Sequence, residues 1–147
     1  MKASERMQIV ADSAHEILQE AVACLSSARN RLEQKQQKLL ELEHYRDEYL
    51  HGLQHKSRQG MNAVQIRDYN TFLDRLNEAI RQQRDIIDSL RRELERCLQQ
   101  WRAAQTRCNS LDQVVAGKLQ AERQLEARAL QIEENESATR SWRRGAG

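Results

Sequence analysis

The second half of the chain carries a heptad repeat that runs without a break from residue 66 to residue 132. Counted from Ile66 in alternating steps of three and four residues, every position is apolar except Gln83, Lys118 and Glu122. A straight helix drifts by about 20° per heptad, so a repeat kept over about nine heptads predicts a supercoiled helix. The seam consists of Ile66, Tyr69, Leu73, Leu76, Ile80, Gln83, Ile87, Leu90, Leu94, Cys97, Trp101, Ala104, Cys108, Leu111, Val115, Lys118, Glu122, Leu125, Ala129 and Ile132.

The composition agrees with this interpretation. The 147 residues include no proline and one phenylalanine, while 31 % are charged. Such a chain has too few large apolar side chains for a broad globular core. Its amino-acid composition is typical of long helices and coiled coils. We therefore expect an all-α single domain over residues 1–147 and exclude sheet-based folds.

The first part of the chain repeats the pattern less regularly. Two consecutive four-residue steps, Ile17 to Ala21 to Leu25, predict a stutter that locally straightens the supercoil. The helix then continues through Tyr45, Tyr49 and Leu53. The stripe that precedes these residues is apolar except at Lys35 and consists of Met7, Val10, Ala14, Ile17, Ala21, Leu25, Ala28, Leu32, Lys35, Leu39 and Leu42.

A break in the pattern near residue 60 separates the two helices. Gly60 suits the left-handed conformation that ends a helix, and Asn62 with Gln65 has the form of a capping box that starts one. The sequence thus predicts helix 1 over about 5–58, a turn over 59–62, helix 2 over about 63–140 and a frayed end over 141–147. A short connection favours an antiparallel coiled-coil hairpin.

The predicted turn also sets which residues face each other. Facing residues should have numbers that sum to about 121 or 122, so residue 5 would lie near residue 117. Helix 2 is the longer one, and its C-terminal part would project beyond helix 1. Leu125, Ala129 and Ile132 continue the seam there, which makes them candidates for burial against another protein.

The sequence offers no sign of catalysis or of a bound cofactor. It contains no phosphate-binding loop, no zinc-protease motif and no nucleophile elbow. His44, Glu48, His51 and His55 share one helical face, and two histidines four residues apart can share a metal; we interpret them instead as a solvated polar stripe and predict no metal site. The function expected is non-enzymatic.

Charge and cysteine content indicate the compartment. The net charge is only +2, a weak footprint for nucleic acid. No run is apolar enough to span a membrane, and the start of the chain resembles no signal peptide. Three cysteines without paired spacing suit a reducing cytoplasm, where Cys24 and Cys97, which should face each other, are expected to be small buried side chains.

The C-terminal end is basic and aromatic. Its sequence is Arg140-Ser141-Trp142-Arg143-Arg144. Such a segment could touch an acidic protein or nucleic acid. We interpret it as a solubilising terminus.

Apolar residues beyond the needs of the seam indicate a binding site. Phe72, Ala79 and Ile86 precede seam residues at heptad spacing and form a second stripe. Leu42, Tyr45 and Tyr49 lie at the matching levels of helix 1. Because aromatic residues are favoured anchors of protein interfaces, we predict a partner-binding patch here rather than a mere thickening of the seam. The predicted patch comprises Leu42, Tyr45, Tyr49, Phe72, Leu76 and Ala79.

At these residues the chain resembles the FliJ family, components of the bacterial flagellar type III export apparatus. The resemblance covers nearly the whole chain and is most specific in two stretches, residues 42–49 and 69–80, with a tryptophan at Trp101 midway along helix 2. It implies a stalk-like antiparallel coiled coil that binds the export ATPase ring, the cytoplasmic linker of the export-gate membrane protein, and export chaperones. The gate contact would map onto the predicted patch, and the C-terminal overhang would enter the ring.

The resemblance also implies a cytoplasmic protein held near the inner membrane through protein contacts only. Two alternatives stay open. A stalk protein of a virulence type III secretion system would share the fold, and gene neighbourhood would separate the two. A self-associating scaffold could instead dimerise through the overhang, which sedimentation equilibrium would detect. A nucleic-acid-binding arm is a more distant alternative.

Overall fold

The computed structural model describes residues 1–146 and contains two helices. Helix α1 spans Ala3–Gln59 and helix α2 spans Ala63–Ala146, with no strand in this part of the chain. The predicted all-α class with two long antiparallel helices is confirmed. Both helices extend beyond the predicted limits. At the start, the backbone N–H of Lys2 donates to the Glu5 carboxylate at 3.0 Å, and this cap starts α1 early.

The turn between the helices has the predicted chemistry. Gly60 has a φ of 93°, the left-handed conformation in which glycine carries no steric penalty. The backbone N–H of Gln65 donates to Asn62 Oδ1 at 2.8 Å, and the backbone N–H of Asn62 donates to Gln65 Oε1 at 3.1 Å. These reciprocal bonds are the capping box that the sequence predicted, and they start α2 at Ala63.

The helices pack in two compact units, described separately. The first, residues 21–101, contains the turn and a core built on the predicted seam. Leu25, Ala28 and Cys97 form its central cluster. Gln83 is 4 % exposed, yet its side-chain amide donates to the backbone carbonyl of Lys35 at 3.0 Å. A polar residue thus occupies the seam, and its buried side-chain amide still has a hydrogen-bond partner.

The second unit comprises residues 1–20 and the part of α2 from Arg102 onward. The helix α2 seam is buried here as predicted, at Ala104, Cys108 and Val115. The helix α1 stripe differs from the prediction: Val10 and Ile17 are 39 % and 51 % exposed. Their C-terminal neighbours take the inward positions instead.

Helix α1 therefore keeps a regular heptad, and the predicted stutter is wrong. Ala11 is fully buried and Leu18 is half-buried. Stepping from Ala11 to Ala14, Leu18 and Ala21 alternates three and four residues without a slip. The prediction failed because neighbouring positions are both apolar here, Val10 beside Ala11 and Ile17 beside Leu18, so the sequence offers two heptad frames and side-chain size does not decide between them.

Pairing in this second unit also reaches further along α2 than predicted. Ser4 contacts Glu122, and Lys2 forms an ion pair with Glu126 at 3.0 Å. These side-chain contacts extend the pairing about one helical turn beyond residue 117, where the sequence predicted that helix 1 would end. From residue 123 to residue 146, every residue of α2 is exposed.

Cys24 and Cys97 face each other across the two helices of the first unit, as predicted. Their Cα atoms are 6.0 Å apart and their sulfurs are joined in a disulfide. The sequence had predicted two unpaired thiols, because a reducing compartment disfavours disulfides. The backbone separation lies in the usual range for a disulfide, so the geometry of the seam admits the bond. Cys108 is buried as a free thiol.

Candidate protein-binding surfaces

Four aromatic rings meet beside the turn and form what we call the aromatic cluster: Tyr45, Tyr49, Tyr69 and Phe72. The rings of Tyr49 and Phe72 have centroids 4.5 Å apart, and those of Tyr49 and Tyr69 are 4.9 Å apart. Tyr45 meets Phe72 edge to face, at 6.0 Å and 78°. Each such pair contributes about 1 kcal/mol beyond the area it buries. The cluster therefore joins the two helices as well as presenting ring surface.

The aromatic cluster is partly exposed, and buried core residues follow it along α2. Leu76 and Ile80 are 7 % and 1 % exposed and lie in the core. Tyr45 is 49 % exposed, while Tyr49 and Phe72 are half-buried. Burial raises the pKa of the Tyr49 hydroxyl above its ordinary value. A partner could thus reach Tyr45 and the edge of Phe72 without disturbing the core.

The predicted patch residues therefore have different environments. Leu42 and Ala79 are half-buried beside the cluster. Leu76 is in the core, where it supports the patch without presenting surface. Ile86, which the sequence analysis placed in the same stripe, is 42 % exposed.

Polar contacts between the helices border the aromatic cluster. Arg46 donates to Asn77 Oδ1 at 3.2 Å, and Arg84 pairs with Glu43 at 3.0 Å. These contacts lie on the surface, where each contributes little to stability. They join the two helices near the cluster and give the apolar surface a polar edge, the usual composition of an interface rim.

Tyr69 is the member of the cluster that the patch prediction omitted. Its ring lies against Tyr49, and the ammonium of Lys56 lies 5.2 Å from its centroid. Tyr69 was assigned to the seam alone. Tyr69 lies three residues before Phe72, one turn away on the same side of α2, and this spacing could have identified it as part of the patch.

The overhang residues are exposed as predicted. Leu125 and Ile132 are 64 % and 57 % exposed, and Ala129 is exposed as well. Leu130, which the seam does not include, adds a further apolar side chain at 56 % exposure. Trp142 near the chain end is 73 % exposed. This segment of α2 therefore presents apolar surface on more than one side.

One histidine of the stripe contacts the glutamate one turn further along α1. His44 Nε2 lies 3.1 Å from Glu48 Oε1, on the exposed side of α1. In the described part of the chain, no three histidine, cysteine or acidic side chains come together in a way that could hold a metal ion. Neither described helix contains a stretch long and apolar enough to cross a membrane.

Comparison with protein families matches this chain to the family described as Flagellar FliJ protein, over residues 2–147. Neither a curated protein nor a solved structure matched the chain. The match spans both helices, the turn and the exposed C-terminal segment. The chain therefore belongs to the FliJ family and is a coiled-coil protein associated with flagellar protein export.

Proposed function

We propose that this protein is a non-enzymatic, cytoplasmic stalk-like component that connects the export ATPase ring to the cytoplasmic linker of the export-gate membrane protein, and that it also binds export chaperones. Family membership supports the setting in flagellar export. The two surfaces described above support the linking role, because each exposes apolar side chains that its own unit leaves uncovered. Peripheral association with the inner membrane follows from these protein contacts.

The aromatic cluster is the observation that carries the proposal. Its rings pack on one another across the two helices, while about half of the Tyr45 side chain is exposed. Rigid aromatic residues on a packed base lose little side-chain entropy when a partner binds, so they make good interface anchors. We assign the gate linker to this cluster together with Leu42 and Ala79.

The overhang is assigned to the ATPase ring. Leu125, Ala129 and Ile132 continue the seam where α1 no longer covers it. An isolated helix in water gains nothing from such residues, whereas a partner that buries them would recover about 2 kcal/mol for each large side chain. Hence we expect this segment to become covered when the ring assembles around it.

Binding of the gate linker to variants of the full chain tests the proposal. We expect Tyr49→Ala combined with Phe72→Ala to abolish linker binding and Tyr45→Ala alone to weaken it. Leu40→Ala is a matched control, because Leu40 is 60 % exposed in the same unit but outside the cluster. Circular dichroism of each variant measures helicity.

The outcomes distinguish a cluster that binds a partner from a cluster that only joins the two helices. Loss of linker binding with helicity retained supports the assignment. Unfolding of Tyr45→Ala, or linker binding unaffected by all three cluster changes, would contradict it. In that event the rings serve only to join the helices.

Self-association through the overhang is the second candidate function, and the exposure of Leu125 and Ile132 favours it. Sedimentation equilibrium distinguishes the two. A monomer at micromolar concentration supports the export role. A dimer that no longer forms in the double variant Leu125→Ser with Ile132→Ser supports a scaffold.

A further inference from the structure

Two cysteines of the first unit face each other but differ in exposure. The Cα atoms of Cys24 and Cys97 are 6.0 Å apart, a separation at which the two sulfurs can bond without movement of the helices. Cys97 is 1 % exposed and packs with Leu25 and Ala28 in the central cluster. Cys24 is only partly buried and lies at the edge of that cluster. One residue of the pair is therefore accessible and the other is enclosed.

The packing of α1 does not require a cysteine at position 24. The buried residues of this helix step from Ala21 to Leu25, so Cys24 lies immediately outside the seam. The positions one heptad before and after Cys24 are open to solvent, since Ile17 is 51 % exposed and the Arg31 side chain is 46 % exposed. A sulfhydryl on this edge of the helix adds a reactivity that packing does not need.

We infer that Cys24 is a modification site for low-molecular-weight disulfides such as oxidised glutathione, and that Cys97 is the thiol that resolves the adduct. Exchange begins when a thiolate attacks a disulfide sulfur, so the attacking sulfur must be accessible. Cys24 has that access and Cys97 lacks it. Because Cys97 faces Cys24 across the two helices, it is in place to attack the mixed disulfide once this has formed.

The reaction proceeds in two exchanges. The Cys24 thiol loses its proton to solvent and its thiolate attacks oxidised glutathione, whose S–S bond breaks as the mixed disulfide forms and one glutathione thiolate leaves. The Cys97 thiol then loses its proton, and its thiolate attacks the Cys24 sulfur. The mixed disulfide breaks, and the second glutathione thiolate leaves. Both leaving thiolates take up a proton, so two protein thiols are oxidised to one disulfide while one glutathione disulfide is reduced to two thiols.

The same chemistry makes the bond reversible. A glutathione thiolate attacks the accessible Cys24 sulfur and releases Cys97 as the leaving thiolate. The ratio of glutathione to its disulfide sets which form predominates. The bonded form ties the two helices of the first unit together covalently. The thiols expected in a reducing compartment and the bond in the structure are then two states of one pair.

Cys108 provides an internal control within the same chain. It is fully buried as a free thiol and belongs to the second unit. Because a buried thiol reacts only when its surroundings open, Cys108 should stay unmodified in the folded chain and react in the unfolded chain.

Timed oxidation of the full chain tests the inference. The reduced chain is incubated with oxidised glutathione and alkylated at intervals, and peptide mass spectrometry locates the adducts. Cys97→Ala and Cys97→Val remove the resolving thiol, and Cys24→Ala removes the accessible one. Cys108→Ala is the matched control, since it removes a buried thiol outside the pair. Circular dichroism measures the helicity of each variant, and a parallel incubation in urea measures the reactivity of each thiol without structure.

We expect the unmodified chain and Cys108→Ala to form the bond between Cys24 and Cys97 at the same rate, with only a transient glutathione adduct. Cys97→Ala and Cys97→Val should accumulate one glutathione, attached to Cys24. In Cys24→Ala, the Cys97 thiol should react at least about tenfold more slowly than Cys24 does in Cys97→Ala, because access limits exchange. In urea this difference should vanish.

Three results would overturn the inference. The first is a folded chain that forms neither an adduct at Cys24 nor the bond, while the same thiols react in urea. The second is an adduct in the Cys97 variants that divides evenly between Cys24 and Cys108. The third is a stable adduct at Cys24 in the unmodified chain, which would show that Cys97 does not resolve it. Because the measurement involves no partner, its result is independent of the proposed export role.

Discussion

The Ser4 hydroxyl donates a hydrogen bond to Glu122 Oε2 at 2.6 Å, and the backbone N–H of Ser4 donates to Glu122 Oε1 at 3.1 Å. Ser4 lies in the first turn of α1, where backbone N–H groups have no partner within the helix. A carboxylate of α2 therefore caps α1, and Ser4 is only 4 % exposed. This contact occupies the last paired seam positions of both helices.

The cap makes the stability of this unit depend on pH. The hydrogen bonds from Ser4 hold the pKa of Glu122 below its ordinary value of 4.5. A lowered folded-state pKa stabilises the fold fully above the ordinary value, and the contribution is lost as the pH falls through the folded-state value. Lowering the pH from about 6 to about 3 should therefore reduce the melting temperature more in the unmodified chain than in Glu122→Gln.

Thermal unfolding followed by circular dichroism checks this prediction. Glu133→Gln is the control, since it removes an exposed carboxylate of the same helix that makes no contact with α1. Its acid-induced decrease should equal that of the unmodified chain. An equally large decrease in Glu122→Gln would show that the cap does not contribute.

The register of α1 can be tested by placing the same charge at two positions. Ala11→Asp should destabilise the fold by about 3 kcal/mol or more, because Ala11 is fully buried and an aspartate there has no partner. Ile17→Asp should cost less than about 1 kcal/mol, because Ile17 is 51 % exposed. Urea unfolding measures both. The reverse order would restore the stuttered register that the sequence predicted.

The comparison of the two helices shows what a heptad pattern can predict. The seam of α2 offers one strong frame, with large apolar residues such as Leu76, Ile80 and Ile87, and these are buried as predicted. Near Ala11, α1 offers two heptad frames, one through Val10 and Ile17 and one through Ala11 and Leu18. Which frame is used depends on the shape of the facing helix, because small residues on one side accommodate larger ones on the other. A single helix does not contain that information.

Local features were predicted more completely than surfaces. The capping box of Asn62 and Gln65 depends only on neighbours in sequence, so the sequence determines it. The candidate patch depends on the exposure of each side chain after packing. The sequence therefore placed Tyr49 at the level of Phe72, where the two rings meet, but could not tell how much of the Tyr45 side chain stays exposed after packing.

Leu76 and Tyr45 should lose different amounts of stability on truncation to alanine. Leu76→Ala leaves a cavity in the core and should cost about 2–5 kcal/mol. Tyr45→Ala should cost about 1 kcal/mol, because half of that side chain is already exposed. Denaturant unfolding gives the free energies. Comparable losses would mean that Tyr45 is as much a core residue as Leu76.

The bond between Cys24 and Cys97 should make stability depend on reductant. The two residues are 73 positions apart, and closing a loop of this length stabilises the folded state by about 4 kcal/mol in the chain-entropy model. Dithiothreitol should therefore lower the unfolding midpoint of the oxidised chain. Cys24→Ser should unfold at one midpoint with or without reductant. Insensitivity of the unmodified chain, with both thiols open to alkylation on unfolding, would show that the bond does not form.

Glycine-to-alanine changes should have opposite signs at different positions. Gly60→Ala should destabilise the chain by about 1 kcal/mol, because its φ of 93° is unfavourable for a residue with a Cβ. Gly52 and Gly117 lie within helices, and an added Cβ at either would meet no atom within 4 Å. Gly52→Ala and Gly117→Ala should thus each stabilise the fold by up to about 1 kcal/mol through helix propensity.

Thermal melting of the three variants measures these differences on one scale. Because Gly52→Ala and Gly60→Ala both lie near the turn, they form a matched pair that differs chiefly in backbone conformation. A higher melting temperature for Gly60→Ala would mean that the turn can adopt an ordinary right-handed conformation there. Since the capping box fixes the start of α2, such a result would require the end of α1 to rearrange.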